Sequence, residues 1–236
     1  MSEQNSFVKG IKDGLPICFG YLSVAFAFGI FAVSNGFSIF EAVIISMTNV
    51  TSAGQLAGVP IIAAGGTLFE LALSQFIINL RYALMSVSLS QKLGKTVSFA
   101  DRFIIAFVNT DEVFAVSSSQ KGNVGRNYMF GLILTPFLGW SMGTLLGAVA
   151  GDVLPSVVTA SLGIAIYAMF VAIVIPPSKK CKATALCASF AILIGCIFRY
   201  TPFLKVVPSG FVIIIAAGVA SAVFAILFPR EVEQNA

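Results

Sequence analysis

The chain alternates between long apolar stretches and short polar breaks. Apolar runs fall at residues 15–34, 67–89, 128–151, 157–176, 183–198 and 209–228, separated by Gly, Pro and charged residues. Each run is near the roughly 20 residues that ~30 Å of hydrocarbon demands of a helix, so six spanning helices are predicted. Two further stretches are apolar but interrupted. Residues 38–64 contain Asn49, Thr51, Ser52, Gly54, Gln55, Gly58 and Pro60, and residues 103–120 contain Asn109, Asp111 and Glu112 among Phe, Ile and Val. Both are read as broken or re-entrant segments that return to the side they left. Irregular backbone is tolerated at membrane depth only inside protein or beside a water-filled cavity.

The distribution of positive charge favours this arrangement. With both interrupted stretches re-entrant, Lys9, Lys12, Lys92, Lys95, Arg102, Lys121, Arg126, Lys179, Lys180, Lys182 and Arg230 share one side, and only Arg199 and Lys205 face the other. If both stretches cross fully, Lys92, Lys95 and Arg102 change sides and the split is 8 against 5. The positive-inside rule selects the first arrangement and places both termini in the cytoplasm. Eight full spans is the alternative, with the same termini.

Composition narrows the class further. The 236 residues are 58% hydrophobic and 10% charged, against about 25% charged in soluble domains. The expectation is an all-α polytopic membrane protein, a single integral domain over 1–236 in the bilayer. The first apolar run, after Lys9 and Lys12, is too long for a signal-peptide core and is read as a retained first helix. The chain has no His, which removes the commonest metal ligand and the usual neutral-pH proton shuttle. Cys18, Cys181, Cys187 and Cys196 form no C-x-x-C pair and are read as packing residues. No Ser–His or paired-Asp signature is present, so neither enzyme activity nor a cofactor or metal is expected. The basic residues sit where topology requires them, so a nucleic-acid partner is not expected. Gly139, Gly143, Gly147 and Gly151 recur every four residues, a small-xxx-small stripe read as close helix packing. No internal repeat stands out. Pro16-x-x-x-Gly20-Tyr21 and Pro136-x-x-Gly139-Trp140 share only a faint likeness.

The polar residues inside the apolar stretches are the candidate chemistry. On the insertion scale Asp111 and Glu112 together cost about 5–7 kcal/mol at a helix centre, and the eight strong hydrophobes around them offset only about 2.4–4.8. On a continuous helix, Asp111 falls between Phe107 and Ile104 and Glu112 between Val108 and Val116, so there is no clean polar face. Burial against other helices or a cavity is one reading; solvated acids at a cytoplasmic helix end, near Lys121 and Arg126, is the other. In residues 69–88, Glu70, Ser74, Ile77, Arg81 and Ser88 share one helical face, and Gln75 and Asn79 pair at i, i+4. Glu70 and Arg81 stand roughly 16 Å apart along the axis, too far to pair but able to face one cavity. Arg81 is read either as a clamp for a carboxylate or partner for Asp111 or Glu112, or as a snorkelling anchor. The break at 46–60, with Ser52, Gly54 and Gln55, exposes backbone amides and carbonyls of the kind transporters turn toward solutes.

At these residues the chain resembles the AzlC-type inner-membrane subunit of bacterial branched-chain amino acid exporters. The matching motifs are TSAGQ (51–55), NLRYALMS (79–86), NTDEVFA (109–115) and GLILTPFLGWSMGTLLGAVAG (131–151), with GLPICFGYLSVAFAFG (14–29) and AMFVAIVIP (168–176) also fitting. Tyr82 stands where a His would also be familiar. The resemblance implies export of leucine, isoleucine and valine across the bacterial inner membrane, with a separate small hydrophobic AzlD-type partner. From the residues alone, proton coupling through Asp111 or Glu112 is the expectation, with Asp111 facing the pathway and Glu112 in a structural pair. The substrate-binding or coupling set is Arg81, Asp111, Glu112, Gln55, Gly54, Ser52, Asn79, Glu70 and Asn109. An uncoupled facilitator and an accessory membrane subunit remain alternatives.

Overall fold

The computed structural model describes residues 6–155, 157, 171, 174–175, 178–179 and 181–228. The helices among them are α1 (Phe7–Ser34), α2 (Ile39–Thr48), α3 (Ser52–Ala63), α4 (Leu68–Lys92), α5 (Phe99–Phe107), α6 (Asp111–Ser119), α7 (Arg126–Val153), α8 (Lys182–Tyr200) and α9 (Ser209–Leu227), with a single 3-10 turn at Pro202–Leu204. Five of these, α1, α4, α7, α8 and α9, are long and apolar enough to cross a membrane. The protein is an all-α polytopic membrane protein. The span expected at 157–176 lies almost wholly outside the described residues.

α1 begins eight residues before its apolar run. Ser6 caps it by accepting from the Lys9 N–H, and Lys9 pairs with Asp13 at 2.9 Å one turn later, so the helix is already formed where its sequence is still polar.

α1 and α7 form the central pair, and the glycine stripe explains how. A Cβ at Gly139 would lie 2.5 Å from the Cys18 carbonyl oxygen, and one at Gly143 the same distance from that of Leu22. At Gly147 it would overlap the Phe26 carbonyl, and at Gly131 that of Phe7. From the other side, Gly10 and Gly14 abut the backbone of Tyr128 and Leu132. The two helices are therefore in backbone contact along their length, which only glycine allows. Partners keep a constant separation of 121 residues (18 with 139, 22 with 143, 26 with 147), so the helices run parallel and start at the same face of the bundle.

The two interrupted stretches are helical hairpins entering from opposite faces. At the face where α1 and α7 start, Lys9 Nζ donates to Gln120 Oε1 at 2.7 Å, and Asp13 accepts from Gln120 and from the Tyr128 hydroxyl. There too Gly94 N–H donates to Val124 O at 2.8 Å, Val124 N–H to Lys92 O at 3.0 Å, and Arg126 pairs with Asp101 at 3.0 Å. The start of α5 and the end of α6 thus lie level with the ends of α1, α4 and α7. At the opposite face Phe28 and Ala32 of α1, Ala148 of α7, Ala42 of α2 and Val59 of α3 form one apolar cluster, and the Ser46 and Thr144 hydroxyls bond at 2.6 Å. The start of α2 and the latter half of α3 lie together there. Neither stretch crosses, and the arrangement is the re-entrant one rather than eight spans.

With the α1 start cytoplasmic, as the positive-inside rule expects, Ser98→Cys placed in a background lacking Cys18, Cys181, Cys187 and Cys196 should resist a membrane-impermeant thiol reagent in intact cells and react in inverted vesicles. Labelling of intact cells would turn the molecule over.

Candidate functional site

Each hairpin is broken by three residues at its tip, Asn49–Thr51 between α2 and α3 and Val108–Thr110 between α5 and α6. The chemistry of the tips is the same. A threonine caps the returning half-helix: Thr51 Oγ1 accepts from Gly54 N–H and Thr110 Oγ1 from Val113 N–H, each at 3.4 Å. An asparagine ties each tip to α4: Asn49 Nδ2 donates to Gln75 Oε1 and Asn109 Nδ2 to Ser86 Oγ, each at 3.2 Å. Gln75, Asn79, Tyr82 and Ser86 are spaced 4, 3 and 4 apart, so one polar stripe of α4 receives both tips. Gln75 also donates to the Gly54 carbonyl at 2.8 Å and accepts from Asn79 at 3.3 Å.

Where the tips meet α4 there is a cavity of about 790 Å³. Its walls are Pro16 to Val24 on α1, Val50–Ser52 at one tip, Arg81 and Tyr82 on α4, Thr110–Glu112 at the other tip with Ala115 and Val116, and Trp140 on α7. Arg81 stands 11 residues before the end of α4, roughly 16 Å along the axis, which is near mid-depth.

The charges inside are paired in a definite way. Arg81 Nη2 lies 2.9 Å from Asp111 Oδ2. The guanidinium also donates to the Tyr82 hydroxyl and sits 4.9 Å from the Tyr82 ring centre. Glu112 accepts from the Tyr21 hydroxyl across to α1. The Tyr21 ring is fixed edge-on against Trp140 with centres 5.1 Å apart. The Arg81 and Asp111 side chains remain 53% and 44% exposed, so a solute in the cavity can reach both. Arg81 does not snorkel to the surface, and the acids sit at the α6 N-terminus, the far end from Lys121 and Arg126.

Of the residues singled out in the sequence, Arg81, Asp111, Glu112 and Ser52 line the cavity. Asn109 and Gly54 hold its tips in place, and Asn79 belongs to the α4 stripe beside them. Gln55 is buried on α3 outside the lining, and neither of its amide atoms has a partner. Glu70 is elsewhere. It is 4% exposed at the start of α4 and accepts from the Gly210 N–H at the start of α9 at 3.0 Å. It shares an angular face with Arg81 but not its depth. The helical-wheel placement of Asp111 beside Phe107 also fails, because the helix is interrupted between them at Val108–Thr110. Tyr21, Trp140 and Thr110 were not anticipated. The faint likeness of the Pro16–Tyr21 and Pro136–Trp140 stretches was the available signal, and the two aromatic residues now pack together. Among the described residues no group of three His, Cys, Asp or Glu is placed to hold a metal.

The family model for AzlC protein matches residues 16–154. The chain belongs to the AzlC family. The AzlC match contains every cavity residue from Pro16 to Trp140, while α8 and α9 lie beyond it. The chain is 32% identical to "Inner membrane protein YgaZ" of Escherichia coli over 84% of its length and 82% of that protein. It is 33% identical to an "Uncharacterized membrane protein" of Archaeoglobus fulgidus, covering 76% and 79% of the two chains. No solved structure matches.

Proposed function

We propose that this AzlC-family protein is the large subunit of a secondary transporter that exports branched-chain and similar small neutral amino acids. It works from the bacterial inner membrane with both termini cytoplasmic, beside a small hydrophobic AzlD-type partner. The observation that carries the proposal is the meeting of two oppositely inserted hairpin tips at a cavity holding charges of both signs. Half-helix termini at mid-depth are how secondary transporters bind charged groups away from water. The α3 N-terminus carries no acid in its first turn, whereas that of α6 carries Asp111 and Glu112. One tip is therefore electropositive and the other compensated, a polarity suited to a zwitterion. The apolar walls from Ile17, Val24, Val50 and Val116 suit a branched side chain. Asp111 and Glu112 are the groups available for proton coupling.

The test is flux of labelled leucine, valine and alanine in proteoliposomes, with and without the partner and with and without a pH gradient. The expected result is leucine and valine flux that needs the partner and is driven by the gradient. Flux indifferent to the gradient would make the protein a facilitator, and absence of flux under every condition would remove the transport reading.

A further inference from the structure

Three charged side chains line the cavity, and they do not balance. Arg81 and Asp111 neutralise one another at 2.9 Å. Glu112 has only the neutral Tyr21 hydroxyl, and among the described residues no cation lies within ion-pair distance of it. With both acids ionised, the side chains lining the cavity therefore carry one net negative charge, located on the Glu112 carboxylate and offset only in part by the α6 N-terminus. Tyr21 supplies one hydrogen bond and fixes its direction. A carboxylate can accept several more, so acceptor capacity remains for a cationic donor. The Tyr21 ring, held edge-on by Trp140, adds an aromatic surface beside that carboxylate, which also favours a cation.

A second, independent observation points to a ligand. Trp140 lines the same cavity, is 3% exposed, and its indole N–H has no partner. Indole is a donor only, and a buried donor without an acceptor is the exception in folded proteins. The Trp140 ring packs edge-on against Tyr21, while its N–H is itself closed off from the open cavity, so an acceptor reaches it only when the wall gives way. The cavity thus presents an unneutralised acceptor on α6, with an unsatisfied donor buried within the α7 side chain of its wall, linked through Tyr21.

We infer that Glu112, positioned by Tyr21, recognises the primary ammonium of the solute, and that the Trp140 indole N–H receives an acceptor oxygen of the same solute. The inference rests on reading the cavity as a solute site. It assigns the site to amines that carry an acceptor, of which α-amino acids are the simplest class, and ranks the matching hydroxy acids last. It also divides the two acids: Asp111 holds Arg81, and Glu112 meets the solute.

Three probes share one branched side chain: L-valine, isobutylamine, which keeps only the ammonium, and 2-hydroxy-3-methylbutyrate, which keeps only the carboxylate. Binding is measured on purified protein in nanodiscs by competition with labelled L-valine and by ligand-induced thermal shift. Wild type should bind L-valine best, isobutylamine more weakly and the hydroxy acid least. Glu112→Gln should weaken L-valine and isobutylamine by about tenfold or more, the loss of a charge-assisted hydrogen bond, and leave the weak hydroxy-acid binding unchanged. Trp140→Phe, which keeps the ring against Tyr21, should weaken L-valine and not isobutylamine. Should Glu112→Gln fail to fold, Glu112→Asp and Tyr21→Phe serve, each expected to reduce the preference for the amine over the hydroxy acid. Unchanged L-valine binding in folded Glu112→Gln overturns the inference, and so does unchanged binding with loss of gradient dependence, which would make Glu112 a proton carrier. Partner-dependent leucine and valine flux together with unchanged binding in Glu112→Gln would overturn the inference and leave the export proposal standing, whereas wild type that binds isobutylamine but no amino acid would defeat both.

Discussion

Arg81→Gln should reduce amino-acid flux by about 10–150-fold, the range set by losing a charged hydrogen bond of roughly 1.5–3 kcal/mol. The reason is geometric. Asp111 sits in the first turn of a half-helix whose position is defined by Arg81 at 2.9 Å and by the Asn109 tie to Ser86. Without the guanidinium the cavity holds two carboxylates and no cation, and the α6 tip is left with excess negative charge. Arg81→Lys keeps the charge but loses the planar fork and the stacking on Tyr82, so it should fall between wild type and Arg81→Gln. The double replacement Arg81→Gln with Asp111→Asn removes both charges together. It should recover membrane level and thermal stability more than flux, because an unpaired charge is then absent while the pair needed for transport is still missing. Normal flux in Arg81→Gln at normal expression would reduce the ion pair to scaffolding.

The second large effect is expected far from the charges. Gly147→Leu should abolish stable assembly, and Gly147→Ala should lower the unfolding temperature strongly, because even a Cβ there overlaps the Phe26 carbonyl. Overpacking usually costs about 1–3 kcal/mol when side chains give way, and here the obstacle is backbone, which cannot move without separating α1 from α7. Gly195→Ala on α8 is the control, since nothing lies within 4 Å of its added carbon. It should leave stability unchanged or slightly raised. Thermal unfolding in detergent, read by size-exclusion fluorescence, distinguishes the two. Equal stability in Gly147→Ala and Gly195→Ala would mean that the α1–α7 contact is looser than backbone approach requires.

The hairpins were legible in the sequence because a membrane segment cannot carry Asn, Thr and Gly in a row without a reason, and counting Lys and Arg then decided how the segments return. The glycine stripe was legible for a similar reason: four glycines at one spacing in an apolar run have little use except close approach. Glu70 shows the limit of that reasoning. A helical wheel gives angle but not depth, and what meets Glu70 is the start of α9, some 140 residues later in the chain. The Asp111 wheel failed because it assumed a continuous helix across Val108–Thr110. Tyr21 and Trp140, marked only by a faint likeness of their two stretches, were missed for another reason. An aromatic residue in an apolar helix looks the same whether it faces lipid or a cavity, and only the parallel pairing of α1 with α7 brings these two together. The shared logic of the two tips, a Thr cap and an Asn tie to α4, became evident only when both were seen on one polar stripe.

The 121-residue separation of the α1–α7 partners also has a consequence for biosynthesis. At about 5–20 residues per second, α1 leaves the ribosome ~6–24 s before the backbone it will pack against. Throughout that interval its face at Gly10 and Gly14 is open, and both hairpins and α4 must be made while it waits. The newborn chain therefore completes its core late and over a long range, when α7 slides in beside a helix that is already in the bilayer. Nascent chains arrested before Arg126 should be recognisable by a helix that remains accessible to lipid, to chaperones and to membrane proteases, and is withdrawn from all three at once when α7 arrives.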